Sequence, residues 1–405
     1  MLDPLGIAVD KAGRLWVAED SDNPKRISVW DAKLVPAKAG SGNGENGALI
    51  KEFFGASEYA TFVSMDAKRP DEVFCHNVIW QVDLDKGTWY PKSTIYRDHG
   101  DNTPHEPHGT VGCGGPFFLV TAKNGRQYAF AWTSYYSYTL FLREGDGFRP
   151  IAANITILKG NQFVPWPPYP CVADEKKYPN GSYMWQDAND DGTIQESEIA
   201  RVEAPFNWVD ADLNLWGAAG FVIRPLRIEA NGRPVYDFTK IEKIKPIGQN
   251  IFTDPQDGSI YTVTPGGDPG FAHWTPDGKL LWNYRVTGAW LNTLNFPPAK
   301  PGQLWGITQP LGVAGDFTGV ATYFGPFSIF TRDGLFVAKL FNDSRKGIMG
   351  PESINCEAFA GQLVRLEKGN RYLLLAAMVW QPSLHSWSTC VTVVSSLRMT
   401  TNWGR

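Results

Sequence analysis

No run of eighteen apolar residues occurs anywhere in this 405-residue chain, so no transmembrane helix is expected. Long basic runs are missing too. With a formal charge of -4, a nucleic-acid backbone or an anionic membrane surface is a poor partner. Met1 leads within a few residues into alternating apolar sequence, without the charged start and apolar core of a secretory signal. The chain therefore reads as a mature region or a piece of a longer protein. There are only five cysteines, Cys75, Cys113, Cys171, Cys356 and Cys390, with no Cys-x-x-Cys pair and no haem-attachment signature. At most two disulfides follow, and the cysteines read mainly as buried structural residues that fix the compartment weakly. Gly-x-Ser-x-Gly, His-Glu-x-x-His and phosphate-loop signatures are also absent, so no nucleophile elbow or nucleotide site is supported.

What is present is alternation. Ile7, Val9, Leu15 and Val17 stand two apart around a turn at Lys11-Ala12-Gly13-Arg14, the period of half-buried strands; spacings of three and four, which a helix needs, are missing here. A third strand ends on Trp30-Asp31. This stretch, Leu5 to Asp31, resembles an NHL-type β-propeller repeat, in which Pro-x-Gly-Ile-Ala-Val-Asp, a glycine turn and a Leu-Trp-Val-Ala strand build the inner half of a blade. The resemblance implies an all-β propeller and covers under a tenth of the chain.

The same cycle returns down the sequence. Forty-one glycines, 29 prolines and 16 tryptophans suit many short strands joined by tight turns, with Trp16, Trp30, Trp80 and Trp282 expected to wedge between blades. Blade one is expected over 5–55, with a polar glycine-rich loop at 36–44, blade two over 61–97 and blade three over 109–154, the last turned at Asn124-Gly125. An insertion follows over 155–205. Blade four is expected over 212–244, five over 250–284, six over 312–341 and seven over 358–399. Seven blades is the count expected, with six as the alternative, in a single domain of residues 1–405. Radial repetition leaves few free strand edges, and closure is expected from blade seven packing on blade one.

The insertion carries Asp187-Ala188-Asn189-Asp190-Asp191-Gly192-Thr193-Ile194-Gln195-Glu196-Ser197-Glu198, which fits Asp-x-Asn-x-Asp-Gly with a glutamate at position twelve. Calcium takes six to eight oxygens, and a tight loop converges alternate side chains on one point. This segment resembles the calcium loop of EF-hands and dockerins. The expected ligands are Asp187, Asn189, Asp191, the Thr193 carbonyl, Gln195 through its side chain or a water, and Glu198 with both oxygens. A short helix is expected only over 196–202, which points to a structural clamp more than to an opening sensor.

Other chemistry is sought at the ends of inner strands and in long connections. The densest polar stretch is 99–109, where His105, Glu106 and His108 form a candidate acid-base or second-metal set; what that second metal would be is left open. Trp166, Tyr169, Trp290 and Asn292, each in a connection, are candidate ligand contacts, since sugar rings stack on aromatic planes. His76, His273 and His385 read as strand or tail residues. Two functions stay open. One is a calcium-stabilised recognition or scaffold module that binds a glycan or protein at the channel face. The other is a propeller hydrolase, lactonase or polysaccharide lyase using the 105–108 loop. Whether the chain is an enzyme is undecided, and an extracellular or periplasmic location is expected.

Overall fold

Residues 4–19, 26–31, 49–54, 63–75, 78–94, 117–134, 137–160, 170–203, 205–217, 220–244, 248, 250–264, 267–285, 304, 306–322, 327–340, 360–366, 372–380 and 388–397 are described by the computed structural model. Antiparallel strand dominates them, and the helical turns among them are 3₁₀ turns at Pro170–Val172 and Glu196–Glu198. The first sheet pairs β1 (Pro4–Val9), β2 (Arg14–Glu19), β3 (Arg26–Asp31) and β4 (Leu49–Phe54) in sequence order. Its first turn is locked by one carboxylate. Asp10 Oδ1 accepts from the Ala12 and Arg14 N–H groups at 2.9 and 3.0 Å, and Oδ2 accepts from Trp16 Nε1 at 2.9 Å. The same frame recurs two hundred residues on, where Asp210 accepts from the Asp212 and Asn214 N–H groups, each at 2.9 Å, and from Trp216 Nε1 at 2.8 Å.

The second sheet is β5 (Val63–Ser64), β6 (Glu72–Cys75), β7 (Val78–Asp83) and β8 (Thr88–Thr94). The third runs β9 (Phe117–Thr121), β10 (Gln127–Ser134), β11 (Ser137–Glu144), β12 (Gly147–Ile157), β13 (Gly181–Gln186) and β14 (Ile199–Val202), six strands in one meander. The expected insertion thus joins the blade before it. β12 is eleven residues long and overruns the predicted end of blade three, and its free edge is covered by β13.

In the fourth sheet, β15 (Phe206–Val209), β16 (Leu215–Gly217) and β17 (Phe221–Ile223) are followed by a separate ribbon, β18 (Pro225–Ile228) and β19 (Pro234–Tyr236), before β20 (Glu242–Lys243) completes it. Its inner strand, β15, precedes the predicted start at 212. The fifth sheet is β21 (Asn250–Thr253), β22 (Ile260–Val263), β23 (Phe271–Trp274) and β24 (Leu280–Tyr284). The sixth is β25 (Ile307–Ala314), β26 (Phe317–Thr322), β27 (Phe327–Thr331) and β28 (Phe336–Leu340), and the seventh is β29 (Ala360–Arg365), β30 (Tyr372–Trp380) and β31 (Ser388–Leu397).

How these sheets close follows from what they bury together, each fully buried Phe, Leu or Val contributing about 1.5 to 3 kcal/mol. Phe74 and Ile79 of the second sheet pack with Ala129 and Phe141 of the third, and Val120 and Leu140 of the third with Phe206 and Leu215 of the fourth. Trp208 and Val222 of the fourth meet Ile251 and Ala272 of the fifth. Tyr261 and Phe271 meet Val320 and Phe330 of the sixth. Leu311 and Ala321 meet Leu363 and Tyr372 of the seventh. The circuit then returns, because Val364, Leu366 and Leu373 share a cluster with Val63, Met65 and Val73 of the second sheet. A direct hydrogen bond crosses that seam, Met65 N–H to Gln362 Oε1 at 2.8 Å.

Short antiparallel sheets stacked face to face in a closed circuit make a β-propeller. The circuit of shared clusters passes through six sheets. Inner strands touch around it, β5 with β9, β15 with β21, β21 with β25, β25 with β29, and β29 with β5. This corrects the expected closure of blade seven on blade one. Among the described residues, the first sheet contributes to none of the six clusters. It touches the second along outer strands, β4 against β8, and leaves Ile7 and Val9 of β1 64% and 65% exposed. Trp80 and Trp282 lie at ring seams, as expected of wedges. Cys171 is a free thiol whose partial burial pushes its pKa up; the other four cysteine side chains lie outside the described residues.

Candidate metal centre

The acidic loop of 187–198 connects β13 to β14. These strands pair, Ser182 opposite Val202 and Trp185 opposite Ile199, so the loop is the tip of a hairpin. The short helix expected over 196–202 is instead one 3₁₀ turn followed by strand, because backbone pairing to β13 claims Ile199–Val202. Below the loop, Trp185, Ile194 and Tyr183 are buried together with Ile155 and Val172.

The loop is wound about its first residue. Asp187 is fully buried, with its N–H on the Ile151 carbonyl at 3.1 Å. Its Oδ1 accepts from Asp191 N–H at 3.0 Å and its Oδ2 from Gly192 N–H at 3.1 Å. Gly192 has φ of +72°, a conformation glycine adopts without the penalty a side chain brings. Asp191 Oδ1 accepts from Thr193 N–H at 2.8 Å, while Oδ2 accepts from Asn189 Nδ2 and Gln195 Nε2 at 2.8 and 2.6 Å. Glu198 closes the loop end to end: Oε1 accepts from Ala188 N–H at 2.7 Å and Oε2 from Trp185 Nε1 at 2.9 Å.

Two arginines supply the countercharge. Arg149, on β12, places Nη1 3.0 Å from Asp187 Oδ2, Nη2 2.9 Å from Asp190 Oδ1 and Nε 3.0 Å from Glu144 Oε1. Arg233, at the head of β19, donates to the Asp187 carbonyl at 2.8 Å. Burial pushes the Asp187 carboxyl up, and the Gly192 N–H and Arg149 pull the other way. The ribbon that carries Arg233 is itself pinned: Tyr128 OH donates to the Gly232 carbonyl at 2.6 Å, and Tyr236 N–H to Gln186 Oε1 at 2.6 Å. Gly232 has φ of +95°, and a Cβ there would lie 2.4 Å from Arg126 Cδ.

The donor chemistry suits a hard cation, since every candidate ligand atom is oxygen. The geometry as it stands does not close a coordination shell. Among the described residues no three acidic, imidazole or thiol groups gather as metal ligands do. Asp187 is held by Arg149, Glu198 by Ala188 and Trp185, and the Gln195 amide points its nitrogen at Asp191. A calcium ion here would have to take Asp187 from Arg149. Arg149 and Arg233 had no signal in the loop's own sequence, standing 38 and 46 positions from Asp187.

The remaining candidates, His105, Glu106, His108, Trp166, Tyr169, Trp290 and Asn292, lie outside the described residues. Their attachment points are described. Segment 95–116 leads into inner strand β9 and segment 286–303 into inner strand β25, whereas 161–169 lies between β12 and β13, the fourth and fifth strands of the third sheet. His273 is a buried strand residue, as expected.

No protein-family model matches the chain, and neither does any curated protein. Among solved structures, the chain is similar to the β-propeller domain of Myceliophteria thermophila Cps50 (Swd1), at 13% identity over 93% of this chain and 94% of that one, with a TM-score of 0.35. It is similar to Saccharomyces cerevisiae Sqt1 at 9% identity over 92% and 93%, TM-score 0.34, and to BamB from Moraxella catarrhalis at 12% over 91% and 81%, TM-score 0.29. The propeller assignment rests on the chain's own inter-sheet packing.

Proposed function

We propose that this β-propeller is a recognition module that takes a polar, ring-shaped ligand, a glycan or a side-chain cluster of a partner protein, at the mouth of its central channel. The observation that carries this reading is the ring order. β9 belongs to the third sheet and β25 to the sixth, so two sheets separate them on either side. The connections bearing His105, Glu106 and His108, and Trp290 and Asn292, enter the starts of those two opposite inner strands. In a repeating meander, such starts open on one face. A ligand there would meet imidazole and carboxylate from one side and an aromatic plane from the other. Trp166 and Tyr169 fall outside this reading, because their segment leads on to β13 and not into an inner strand.

We propose further that the 187–198 loop takes calcium through Asp187, Asn189, Asp191, the Thr193 carbonyl and Glu198, in exchange for Arg149. The bound ion would supply fixed positive charge and no reaction step. Extracellular or periplasmic calcium suits a site that must displace a resident guanidinium, since extracellular modules work at about 10⁻⁴ to 10⁻³ M.

Binding to a glycan array and to candidate partner proteins tests the channel reading. His105→Ala and Trp290→Ala are each expected to weaken a detected ligand by about 1 to 3 kcal/mol, the size of a lost anchor. Binding unaffected by both variants overturns it. Turnover of a bound ester or polysaccharide that falls by about 100-fold or more in His105→Ala or His108→Ala would replace recognition with the acid-base alternative.

A further inference from the structure

The seam between the fifth and sixth sheets contains a polar cluster that the channel and the acidic loop do not use. Tyr261, His273 and Trp282 lie directly opposite one another on β22, β23 and β24, so they share one face of the sheet. That face is packed against Phe330 and Val320 of the sixth sheet. His273 is 6% exposed. Its ring stacks on Tyr261 with centroids 4.1 Å apart and planes 6° from parallel, and meets Trp282 edge-on at 5.5 Å. Neither ring nitrogen makes a hydrogen bond of ordinary geometry, and the Arg332 backbone is the polar group nearest to offering one. Buried polar atoms are rarely left this way.

The sixth sheet is fastened over this histidine by the turn between β27 and β28. Arg332 pairs with Asp254 and, at 2.6 Å, with Asp257, and reaches Gln256 Oε1 at 3.2 Å. Trp282 Nε1 donates to the Arg332 carbonyl at 2.9 Å, and Tyr284 OH to the Gly334 carbonyl at 2.6 Å. The charged and titratable groups facing His273 are therefore Asp254 and Asp257 from the turn before β22, the Tyr261 hydroxyl, and Arg332 from the sixth sheet. One guanidinium holds two carboxylates beside a buried imidazole.

We propose that His273 is an acid-sensitive latch: when it takes a proton, its charge competes with Arg332 for Asp254 and Asp257 and loosens the 331–335 turn from the fifth sheet. The neutral imidazole suits the stacked, water-poor slot, whereas the imidazolium carries two N–H donors into a place where the acceptor at hand is the Arg332 carbonyl, already taken by Trp282 Nε1. Burial, the largest influence, holds His273 below the ordinary histidine range; Asp257 and a hydrogen bond to the Arg332 backbone oppose it, and the Arg332 charge adds to it. For a base depressed in the folded state, the unfolded chain binds the proton first. The latch's contribution is thus complete above pH 6.5 and declines as pH falls below it.

Hydrogen exchange of the whole protein at pH 7.5 and 5.0, corrected for intrinsic rates, tests this, alongside melting curves of the wild type and His273→Phe. Phenylalanine keeps the stack and removes both nitrogens. In the wild type, protection in peptides over 327–340 and 271–284 should fall by about tenfold for each unit of pKa depression traversed, more than in the seam between the third and fourth sheets. His273→Phe should melt at least as high at pH 7.5 and lose the acid step. Equal loss of protection at every seam, no loss at all, or an unchanged acid step in His273→Phe would each overturn the latch; if the variant fails to fold, the wild-type exchange pattern alone decides.

Discussion

Glu72→Ala is expected to destabilise the fold by about 3 to 5 kcal/mol, the cost of leaving a buried cation without its partner. Glu72 is 1% exposed and accepts from Arg143 Nη1 at 2.8 Å, from Arg143 Nη2 at 3.0 Å and from Lys92 Nζ at 2.8 Å. Arg143 comes from β11, so the pair bridges the second and third sheets, with its guanidinium 5.7 and 5.8 Å from the Phe74 and Phe148 ring centres. Replacing both partners, as Glu72→Met with Arg143→Met, should cost much less than either single change, because no charge is then stranded. The pair also sets an acid response. Burial alone would raise the Glu72 carboxyl, but the Arg143 hydrogen bonds and then Lys92 outweigh it and lower the pKa from 4.5 to about 2. A depressed acid stabilises the fold above its unfolded pKa and loses that contribution as pH falls from 4.5 towards 2, here about 3 kcal/mol. Urea midpoints at pH 7 for the three variants, and at pH 6 and 3 for the wild type, measure both effects. A single variant no worse than the double would contradict the bridge.

Calcium in thousandfold excess over its dissociation constant should stabilise the protein by about 4 kcal/mol, and in hundredfold excess by about 2.7 kcal/mol, if the native loop alone binds it. Chelator should reverse the rise in melting temperature. Asp187→Ala should abolish the response, and Arg149→Met should enlarge it at equal calcium, since the competing guanidinium is gone. The comparison is calorimetric, with and without calcium, for the three proteins. If chelator leaves the wild-type melt unchanged and Arg149→Met still shows no response, the loop is an arginine-held turn and the calcium reading fails.

What the sequence made legible was local. Alternation at Ile7, Val9, Leu15 and Val17 became β1 and β2, and the Asn124-Gly125 turn formed with Gly125 at φ of +79° and Asn124 accepting from Arg126 N–H at 2.9 Å. The paired turns at Asp277-Gly278 and Asp333-Gly334 share one frame, with the Thr275 and Thr331 hydroxyls each accepting at 2.9 Å from the N–H four residues on. Contacts between sheets were not legible, because apolar packing carries no direction and any of seven similar sheets offers a similar face. That is why the return of the last sheet to β5 could not be read. Phe206–Val209 escaped because four residues directly after Pro205 give too little alternation to separate from a loop. The acidic loop announced its own carboxylates but not Arg149, whose place depends on β12 and β13 being neighbours.

The opposition of β9 and β25 depends on closure of the ring between the seventh and second sheets. The most direct test is a pulsed electron-spin distance between labels carried on noncanonical residues at two exposed positions, Lys68 beside the second sheet and Arg365 on the seventh, where its side chain lies on the face turned to the sixth sheet. Leu366 already shares a cleft of about 650 Å³ with Lys68, Asp71 and Tyr90. Sheets packed face to face lie about 10 Å apart, so one distance is expected, a single sheet spacing plus the thickness of the seventh sheet and the label arms. A distribution centred about 10 Å longer, as an interposed β1–β4 sheet would give, would contradict it.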